Sequence, residues 1–356
     1  MSVQTSDHGS DLLREDKTVD ADVVVIGGGA AGLNGALMLV RSRRSVVVID
    51  SGTPRNAPAA AMHGFIALDG TPPSEIIERG RWQVRAYGGR IVFGEVISAE
   101  PAQSVEPAEP VKALESVEPA EADAGDLRFA VTLADGRRVT ARRVLVATGV
   151  RDVLPDVPVL AEHWGRSVVH CPYCHGWEVR DEPIGILATG PASLHQALLF
   201  RQLTDDLVYF TQGTVLNEDT RARFAARGIR IVETDVREVV EEDGVLTGLR
   251  LVDGTFVARR VIAVATRMQA RTEGLEGLKL PMEDLPDDMG RRFVSAAAGT
   301  TDVPGVWVAG NATDPTSQVG ASAAAGALAG AHINALLATA DADAALAVAR
   351  SADTSA

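Results

Sequence analysis

The residues best suited to chemistry are two cysteines, Cys171 and Cys174, separated by proline and tyrosine. They are the only cysteines in the sequence, and two thiols at this spacing can close a small disulfide where a helix begins. A helix N-terminus and the neighbouring imidazoles of His170 and His175 lower a thiol pKa, so the pair is predicted to be redox-active. A second hypothesis is metal binding by these four side chains, although ligands adjacent in sequence converge poorly on one tetrahedron.

His175 is the first candidate for a catalytic base. Attack on a disulfide requires a thiolate, and an imidazole with a pKa of about 6.5 can take the thiol proton at neutral pH. His170, on the other side of the cysteine pair, is the second candidate. For each histidine the alternative is a residue at a helix start that is held by backbone groups and takes no part in catalysis.

The elements that must position this pair begin with a glycine-rich turn, Gly27 to Gly32. A buried-strand pattern over 22–26 precedes this turn, and a helix is predicted over 30–41. The next apolar run ends at Asp50, about 20 residues after the first glycine of the turn. Glycines spaced in this way let the backbone approach a pyrophosphate, and the carboxylate can accept hydrogen bonds from a ribose. The unit therefore predicts dinucleotide binding, with a turn that serves only helix–strand packing as the alternative.

A second copy of this unit is predicted further along the chain. Residues 133–148 recur in similar form as 251–266, and 25–32 recur as 186–193, although buried Val-rich strands can also look alike by chance. The repeat predicts an α/β protein with two Rossmann-like nucleotide-binding domains. The second copy lacks two of the three glycines and the acidic or basic residue that a nicotinamide dinucleotide needs. The usual mode of NAD(P)H binding is therefore not expected, which leaves a partial site at Gly190 open.

Composition and charge restrict the partners. The 356 residues carry a formal net charge of −14, so no excess of cations is available for nucleic acid or anionic lipid, and neither is expected as a partner. The stretch 315–340 has no Asp, Glu, Lys or Arg, but its Ala, Gly and Ser content predicts a buried helix rather than a membrane span. The polar N-terminus shows no targeting segment, which makes a cytoplasmic location the expectation.

The order of these features resembles the thioredoxin reductases over about residues 20–340. A strand end at Ala147-Thr148-Gly149, the cysteine pair in a second nucleotide-type domain and the closing segment 305–314 carry this resemblance, together with the first glycine turn. It implies two domains of the glutathione-reductase type, the second inserted into the first, in a homodimer. The expected divisions are an FAD-binding domain at 20–153 and 285–345, a low-complexity insertion at 101–126, a central domain at 154–284, a disordered tail at 1–20 and a second tail at 346–356.

The sequence differs from the thioredoxin reductases at three motifs, and these differences indicate a particular subgroup. His175 replaces the family's aspartate after the second cysteine, Asn311 replaces the aspartate after Gly310, and the basic motif for the NADPH phosphate is missing after Phe210. These changes are similar to the thioredoxin-reductase-like dithiol oxidases that close disulfides in natural products such as gliotoxin and holomycin. The resemblance implies FAD-dependent oxidation of a small-molecule or peptide dithiol, with O2 as the acceptor that becomes H2O2. An NAD(P)H-dependent thioredoxin or disulfide reductase and a non-enzymatic flavin redox sensor are the alternatives.

The resemblance also assigns roles to individual residues. Cys171 is expected to react with the substrate and Cys174 to lie next to the flavin. Arg55, Asn56 and His63, in a polar loop after Asp50, are candidates for lining the active site, with a plain surface loop as the alternative. No resident metal is expected. The residues expected to bind FAD are Gly27, Gly29, Ala30, Ala31, Gly32, Asp50, Arg55, Thr148, Gly149, Gly310, Asn311, Gln318 and Val319.

Overall fold

A computed structural model describes residues 18–102 and 127–354 of the chain. The helices within these residues are α1 Ala30–Arg41, α2 Pro73–Ala86, α3 Pro172–His175, α4 Ala192–Phe200, α5 Glu218–Ala226 and α6 Val319–Thr354. The strands are β1 Thr18–Ile26, β2 Val46–Asp50, β3 Arg90–Phe93, β4 Val96–Pro101, β5 Phe129–Leu133, β6 Arg138–Val146, β7 Val150–Val153, β8 Val168–Val169, β9 Ile184–Leu187, β10 Leu207–Phe210, β11 Arg230–Val232, β12 Val236–Glu242, β13 Val245–Leu251, β14 Phe256–Ala258, β15 Val261–Val264, β16 Arg267–Ala270, β17 Met282–Asp284, β18 Gly290–Phe293 and β19 Val306–Val308.

The first sheet is built from the Val-rich runs near the N-terminus. Its order is β3-β2-β1-β6-β5-β4, and β19 pairs with β6 from the far end of the chain. Strands β3, β2, β1, β6 and β19 are parallel, whereas β4 and β5 form an antiparallel extension of β6. All five residues of β2 are buried, as expected for a parallel strand covered on both faces.

The second sheet repeats this plan. Its order is β11-β10-β9-β15-β8, with every pairing parallel, and a separate antiparallel unit β12-β13-β14 matches the extension of the first sheet. In the first copy, β6 runs unbroken from the extension into the parallel sheet, whereas the second copy divides the same stretch into β14 and β15. The predicted pair of Rossmann-like units is therefore confirmed.

A small third sheet lies where the chain passes between the two units. Its order is β17-β18-β16-β7, with Val150 opposite Ala270 in the antiparallel pair of β7 and β16. Met268, Leu275 and Leu278 are buried in the same hydrophobic core as β1 and β6. These residues fall inside the range 154–284 expected for the central domain, but the structure packs them against the first domain.

The long helix α6 closes the first domain by lying directly on α1. A Cβ atom at Gly326 would overlap the carbonyl oxygen of Ala31, so the two backbones approach as closely as glycine allows. Ala329, Ile333 and Leu337 bury the same face of α6. Among the described residues, α6 is the one helix long and apolar enough to span a bilayer by length and composition, but this face is packed inside the protein.

The ends of the described segments differ in part from the expected tails. Strand β1 begins at Thr18, so residues 18–20 are already in the sheet, and 1–17 lie outside the described residues. Helix α6 continues through the expected tail from 346 to Thr354. Strand β4 reaches Pro101, and 103–126 of the predicted low-complexity insertion lie outside the described residues.

Candidate active site

A cavity of about 940 Å³ lies at the carboxyl ends of both parallel sheets and is lined by both domains. This is where open α/β sheets bind ligands. Two of the predicted site residues, Gly32 and Gly310, are absent from its lining. The predicted residues that the structure brings together around it are Gly27, Gly29, Ala30, Ala31, Asp50, Arg55, Asn56, His63, Thr148, Gly149, His170, Cys171, Cys174, His175, Asn311, Gln318 and Val319.

The first glycine turn forms a cradle because most of its positions have no room for a side chain. Gly27 has φ +111°, and a Cβ there would overlap the carbonyl of Ala147. A Cβ at Gly32 would overlap the carbonyl oxygen of Gly27, so this glycine acts through close packing. Gly29 differs, since a Cβ there would meet no atom within 4 Å. Gly29 therefore leaves space next to the N-terminus of α1, where backbone N–H groups favour an anion.

Asp50 closes the cradle at the end of β2 and is paired with an arginine that the sequence analysis did not identify. Arg81 Nη2 donates to Asp50 Oδ2 at 2.5 Å, and its guanidinium lies 4.7 Å from the centre of the Phe93 ring. Asp50 Oδ1 accepts from the backbone N–H of Gly52 at 3.1 Å. Arg81 lies on α2, far from the motif in sequence, so no local pattern connects it with Asp50.

Several buried polar atoms around the cavity have no hydrogen-bond partner among the described residues. They are Arg81 Nε, both ring nitrogens of His175, Gln196 Oε1 and Ser322 Oγ, and all four side chains line the cavity. A buried polar group without a partner costs about 1–3 kcal/mol, so a cluster of them at one site fits a polar ligand that would satisfy them. With the glycine cradle and Asp50, these atoms fit a dinucleotide such as FAD.

The cysteine pair lies in the wall of this cavity, and Cys171 and Cys174 are joined by a disulfide. Cys171 is extended and precedes α3, whose first residue is Pro172, a residue well suited to a first helical position. Helix α3 has only four residues, and a Cβ at Gly176 would overlap the carbonyl oxygen of Pro172. Tyr173, between the cysteines, is exposed.

The two histidines beside the disulfide have different environments. Burial lowers the pKa of His175, although the nearby Glu178 carboxylate opposes this effect, and neither ring nitrogen has a hydrogen-bond partner among the described residues. His170 Nδ1 lies 3.0 Å from the carbonyl oxygen of Val264, to which it can donate, and burial lowers its pKa as well. His175 is therefore a neutral imidazole at pH 7 with both nitrogens available, whereas one nitrogen of His170 is held by the backbone.

Arg55 connects its own loop with two other segments of the cavity wall, at Asp152 and at Pro315. Its guanidinium makes two hydrogen bonds to the Asp152 carboxylate, both of 2.6 Å, and donates to the carbonyl oxygen of Pro315 at 3.2 Å. Thr266 Oγ1 also donates to Asp152, at 2.6 Å. Burial alone would raise the pKa of Asp152, but the hydrogen bonds and charge of Arg55 outweigh it and hold that pKa below its usual value. The guanidinium of Arg55 is thus already engaged by protein groups.

Asn311 shapes the turn that leads into α6. Its Nδ2 atom lies within 3.1 Å of the carbonyl oxygens of Asp314, Pro315 and Ser317. The donor side of this amide is therefore occupied by the turn, and only its carbonyl oxygen is available to a ligand. Next to Asn311, Gly310 has φ +73°, and a Cβ there would lie 2.7 Å from Cβ of Ala31, so Gly310 contributes through close packing.

The opposite side of the cavity is formed by the crossing of β7 and β16 and by the start of α6. Thr148 Oγ1 donates to the carbonyl oxygen of Arg271 at 2.8 Å, and Gly149 accepts from the backbone N–H of the same arginine. Gln318 and Val319 line the cavity where α6 begins. The positive end of the helix dipole therefore lies beside the cavity, where it stabilises negative charge.

The corresponding turn of the second domain is closed by its own hydrogen bonds. Ser193 Oγ accepts from the backbone N–H of Thr189 at 3.0 Å, and Thr189 Oγ1 donates to the carbonyl oxygen of Ala265 at 2.5 Å. A Cβ at Gly190 would lie 3.6 Å from the backbone carbonyl oxygen of Asp287, an ordinary van der Waals distance. The backbone N–H of Thr189 and both hydroxyls are therefore already engaged within the protein, in contrast to the open position at Gly29 of the first domain.

Helix α4 contributes residues that the sequence analysis missed. His195, Gln196 and Leu199 line the cavity, and Gln196 Nε2 donates to the carbonyl oxygen of His170 at 2.7 Å. Their sequence signal is weak, because they lie in a short helix of mixed composition after the degraded turn. The described residues contain no group of three or more His, Cys, Asp or Glu side chains arranged to hold a metal ion.

Comparison with known proteins gives consistent results. Residues 21–330 match the pyridine nucleotide-disulphide oxidoreductase family. Thioredoxin reductase tcpT of Claviceps purpurea (strain 20.1) is 33% identical over 301 residues, covering 82% of this chain and 86% of that protein.

Two solved structures are also similar. The structure of HlmI is 42% identical in sequence and gives a TM-score of 0.81. The match covers 93% of this chain and 97% of the HlmI chain. An oxidoreductase from Agrobacterium tumefaciens is 32% identical and gives a TM-score of 0.78. The match covers 90% of this chain and 99% of the Agrobacterium chain. The chain therefore belongs to the pyridine nucleotide-disulphide oxidoreductase family, as a thioredoxin-reductase-like flavoenzyme that performs thiol–disulfide redox chemistry.

Proposed function

We propose that this protein is an FAD-dependent dithiol oxidase that forms a disulfide in a small-molecule or peptide dithiol and reduces O2 to H2O2. One observation carries the proposal. The Cys171–Cys174 disulfide and His175, whose ring nitrogens have no hydrogen-bond partner among the described residues, share a cavity with an intact glycine cradle, whereas the matching turn of the second domain lacks two of the three glycines and is closed by its own Ser193–Thr189 hydrogen bond. A cytoplasmic homodimer remains the expected setting for this activity.

The first domain supplies the residues that would hold FAD. Gly29 and the N-terminus of α1 suit the pyrophosphate, and Asp50, paired with Arg81, suits a ribose. The N-terminus of α6 would stabilise negative charge on the reduced flavin. When bound, FAD accepts two electrons from the reduced cysteine pair and transfers them to O2.

The cysteine pair performs the exchange with substrate. A substrate thiolate attacks the sulfur of Cys171, forming a mixed disulfide as the bond to Cys174 breaks and Cys174 leaves as a thiolate. The second thiolate of the substrate then attacks the substrate sulfur of the mixed disulfide. This step releases the product disulfide and the Cys171 thiolate. His175 takes a substrate thiol proton, because its buried imidazole is neutral at pH 7. The sum over one cycle is one dithiol and one O2 converted to one disulfide and one H2O2.

The environment of the second cradle supports O2 rather than NAD(P)H as the electron partner. Ser193 and Thr189 close the turn with their own hydrogen bonds, and the atom that faces Gly190 is a backbone carbonyl oxygen of Asp287, which cannot donate to a phosphate. Strand β10 is followed by Thr211 and Gln212, neither of which can neutralise a 2′-phosphate.

The decisive experiment mixes the purified flavoprotein anaerobically with dithiothreitol or with NADPH in a stopped-flow spectrometer. We expect dithiothreitol to bleach the flavin absorbance near 450 nm, a property of flavins in general, and NADPH to leave it unchanged. In air, dithiothreitol should then produce H2O2 continuously. The matched control is Cys171→Ser, which retains the cradle but lacks the disulfide.

Two outcomes would replace the proposal. Rapid bleaching by NADPH would identify the NAD(P)H-dependent disulfide reductase, which the name of the Claviceps relative favours. Flavin bleaching by dithiothreitol with no H2O2 above the Cys171→Ser control would indicate a redox sensor instead of an oxidase.

A further inference from the structure

One edge of the Arg81 guanidinium is only half occupied by protein groups. The N–H bonds of Nε and Nη2 lie parallel on this edge, in the fork geometry that suits a carboxylate. Nη2 donates to Asp50 Oδ2 at 2.5 Å, whereas the buried Nε has no hydrogen-bond partner among the described residues. Leaving a buried N–H without an acceptor is unfavourable, so this position favours an acceptor that comes from a ligand.

Arg55, which lines the same cavity, shows this edge when it is fully occupied. Its Nε and Nη2 donate to the two oxygens of the Asp152 carboxylate, both at 2.6 Å. Asp50 does not bind Arg81 in this way, because its other oxygen, Oδ1, accepts from the backbone N–H of Gly52 at 3.1 Å. The Nε of Arg81 therefore lacks the oxygen that Asp152 supplies to Arg55.

The surroundings hold Arg81 and Asp50 in this arrangement beside the cavity. Both residues line the cavity, and their side chains are 17% and 11% exposed. The centre of the Phe93 ring lies 4.7 Å from the guanidinium carbon of Arg81. A Cβ at Gly28 would overlap Asp50 Oδ2, so the carboxylate packs directly against the first glycine turn. The half-occupied edge therefore lies next to the cradle for the nucleotide.

The two side chains present an acceptor and a donor next to each other, and this combination suits a hydroxyl group. A hydroxyl donates through its hydrogen and accepts through the lone pairs of its oxygen. It would donate to the carboxylate of Asp50 and accept from Nε of Arg81. A phosphate group, ionised at pH 7, would instead bring negative charge to the Asp50 carboxylate.

We propose that Arg81 is a cofactor-binding residue that, together with Asp50, selects an adenine nucleotide with a free ribose hydroxyl. The inference rests on the proposed function, because this ribose belongs to the FAD that the first domain would hold. Arg81 supplies the donor that the carboxylate lacks, and its charge balances that of Asp50 beside the site for the pyrophosphate. Since Arg81 lies on α2, the nucleotide site extends beyond the strand–helix–strand unit that contains the glycine turn.

An ion pair with a purely structural role would give a different result. Its loss would weaken all nucleotides in the cradle to the same extent, because it would act only through the position and charge of Asp50. A donor to the ribose would instead change the affinity for nucleotides that carry the hydroxyl. The ratio of affinities for two nucleotides that differ in one hydroxyl therefore separates the two roles.

The test uses the full-length protein after its flavin has been removed, and measures the binding of ADP, 2′-deoxy-ADP and 3′-deoxy-ADP by isothermal titration calorimetry. We expect the wild type to bind one of the two deoxy nucleotides about 10-fold more weakly than ADP, and Arg81→Met to lose most of this difference. The variant should also bind FAD about 10-fold more weakly, measured from the fluorescence of released flavin. The control is Arg79→Met, which removes an exposed arginine of the same helix and should behave as wild type.

A second variant covers the case in which Arg81→Met does not fold. Arg81→Lys keeps a positive charge beside Asp50 but lacks the two parallel N–H groups, so it should also lose most of the difference between ADP and the deoxy nucleotide. A wild type that binds both deoxy nucleotides as tightly as ADP, or a variant that keeps the wild-type ratio, would overturn the inference. Neither result would affect the proposed function, because FAD can still bind through the glycine cradle. A wild-type protein that binds neither FAD nor ADP would refute the proposed function itself.

Discussion

Replacing Arg55 by methionine should destabilise the protein by about 3–5 kcal/mol at pH 7, the usual cost of leaving one member of a buried ion pair alone. The Asp152 side chain is 5% exposed and that of Arg55 is 27% exposed, so this pair is shielded from water on the carboxylate side. After the replacement, Asp152 keeps the hydrogen bond from Thr266 but loses both bonds to the guanidinium. The charge of the carboxylate then remains buried without its hydrogen-bonded counterion.

The pH dependence follows from the pKa of Asp152. In the wild type this pKa is held below its unfolded value, so the pair contributes its full stabilisation above the unfolded pKa of about 3.9 and loses it as the pH falls through the folded pKa. Without Arg55, burial raises the pKa instead, and the buried group becomes a neutral acid more readily. The deficit of the variant should therefore be largest near pH 7 and shrink as the pH is lowered.

The assay is urea unfolding of the flavoprotein followed by tryptophan fluorescence at pH 7.5 and pH 5. Asp152→Asn and the double variant complete a thermodynamic cycle, and the double variant should be more stable than Arg55→Met because it buries no unpaired charge. The control is Arg79→Met, which removes an exposed helix pair with Glu75 worth about 0.5 kcal/mol or less. If Arg55→Met costs no more than this control, or if its deficit is the same at both pH values, the reasoning is refuted.

Further predictions concern the cradle, the base and the core. Gly29→Ala should fold normally yet bind flavin more weakly, because its methyl group enters open space beside the α1 N-terminus, whereas Gly27→Ala should fail to fold; flavin content and thermal melting distinguish the two. The rate of disulfide reduction by a dithiol should rise with pH along a limb below pH 6.5, since burial lowers the pKa of His175, and a pH–rate profile of His175→Asn should lack this limb. Tyr209→Phe should raise stability by about 1 kcal/mol in urea unfolding, because the hydroxyl is buried without a partner among the described residues and its removal leaves the ring packed edge-on against Phe224, 5.1 Å away. Burial raises the pKa of Tyr209 to about 12, so a titration of its phenol near pH 10 would contradict this picture.

The sequence predicts the parts of the site that depend on local patterns. Gly27, Gly29 and Asp50 are recognisable because the turn and its carboxylate lie within one strand–helix–strand unit, where spacing is fixed by geometry. The cysteine pair is recognisable for the same reason. The duplication could also be read from the sequence, because the strands of both units are continuous apolar runs.

Other parts of the site depend on contacts between residues that are distant in sequence. Arg81, on α2, meets Asp50, at the end of β2, and the backbone of Asp287, between β17 and β18, lies next to Gly190. The role of Arg55 also depends on this assembly, since Asp152 lies on a strand between the domains. No periodicity or motif encodes such meetings, so these side chains could be placed only by the folded chain.

The position of α6 has a consequence for the order in which the molecule is made. The glycine cradle precedes the second domain in the chain, but the domain that contains it also needs β19, which pairs with β6, and α6, which packs on α1. Domains usually fold as units while the chain leaves the ribosome, and the second parallel sheet is complete well before either of these elements has been synthesised. The inserted domain should therefore fold first, and the nascent chain can complete its glycine cradle only after β19 and α6 have been synthesised.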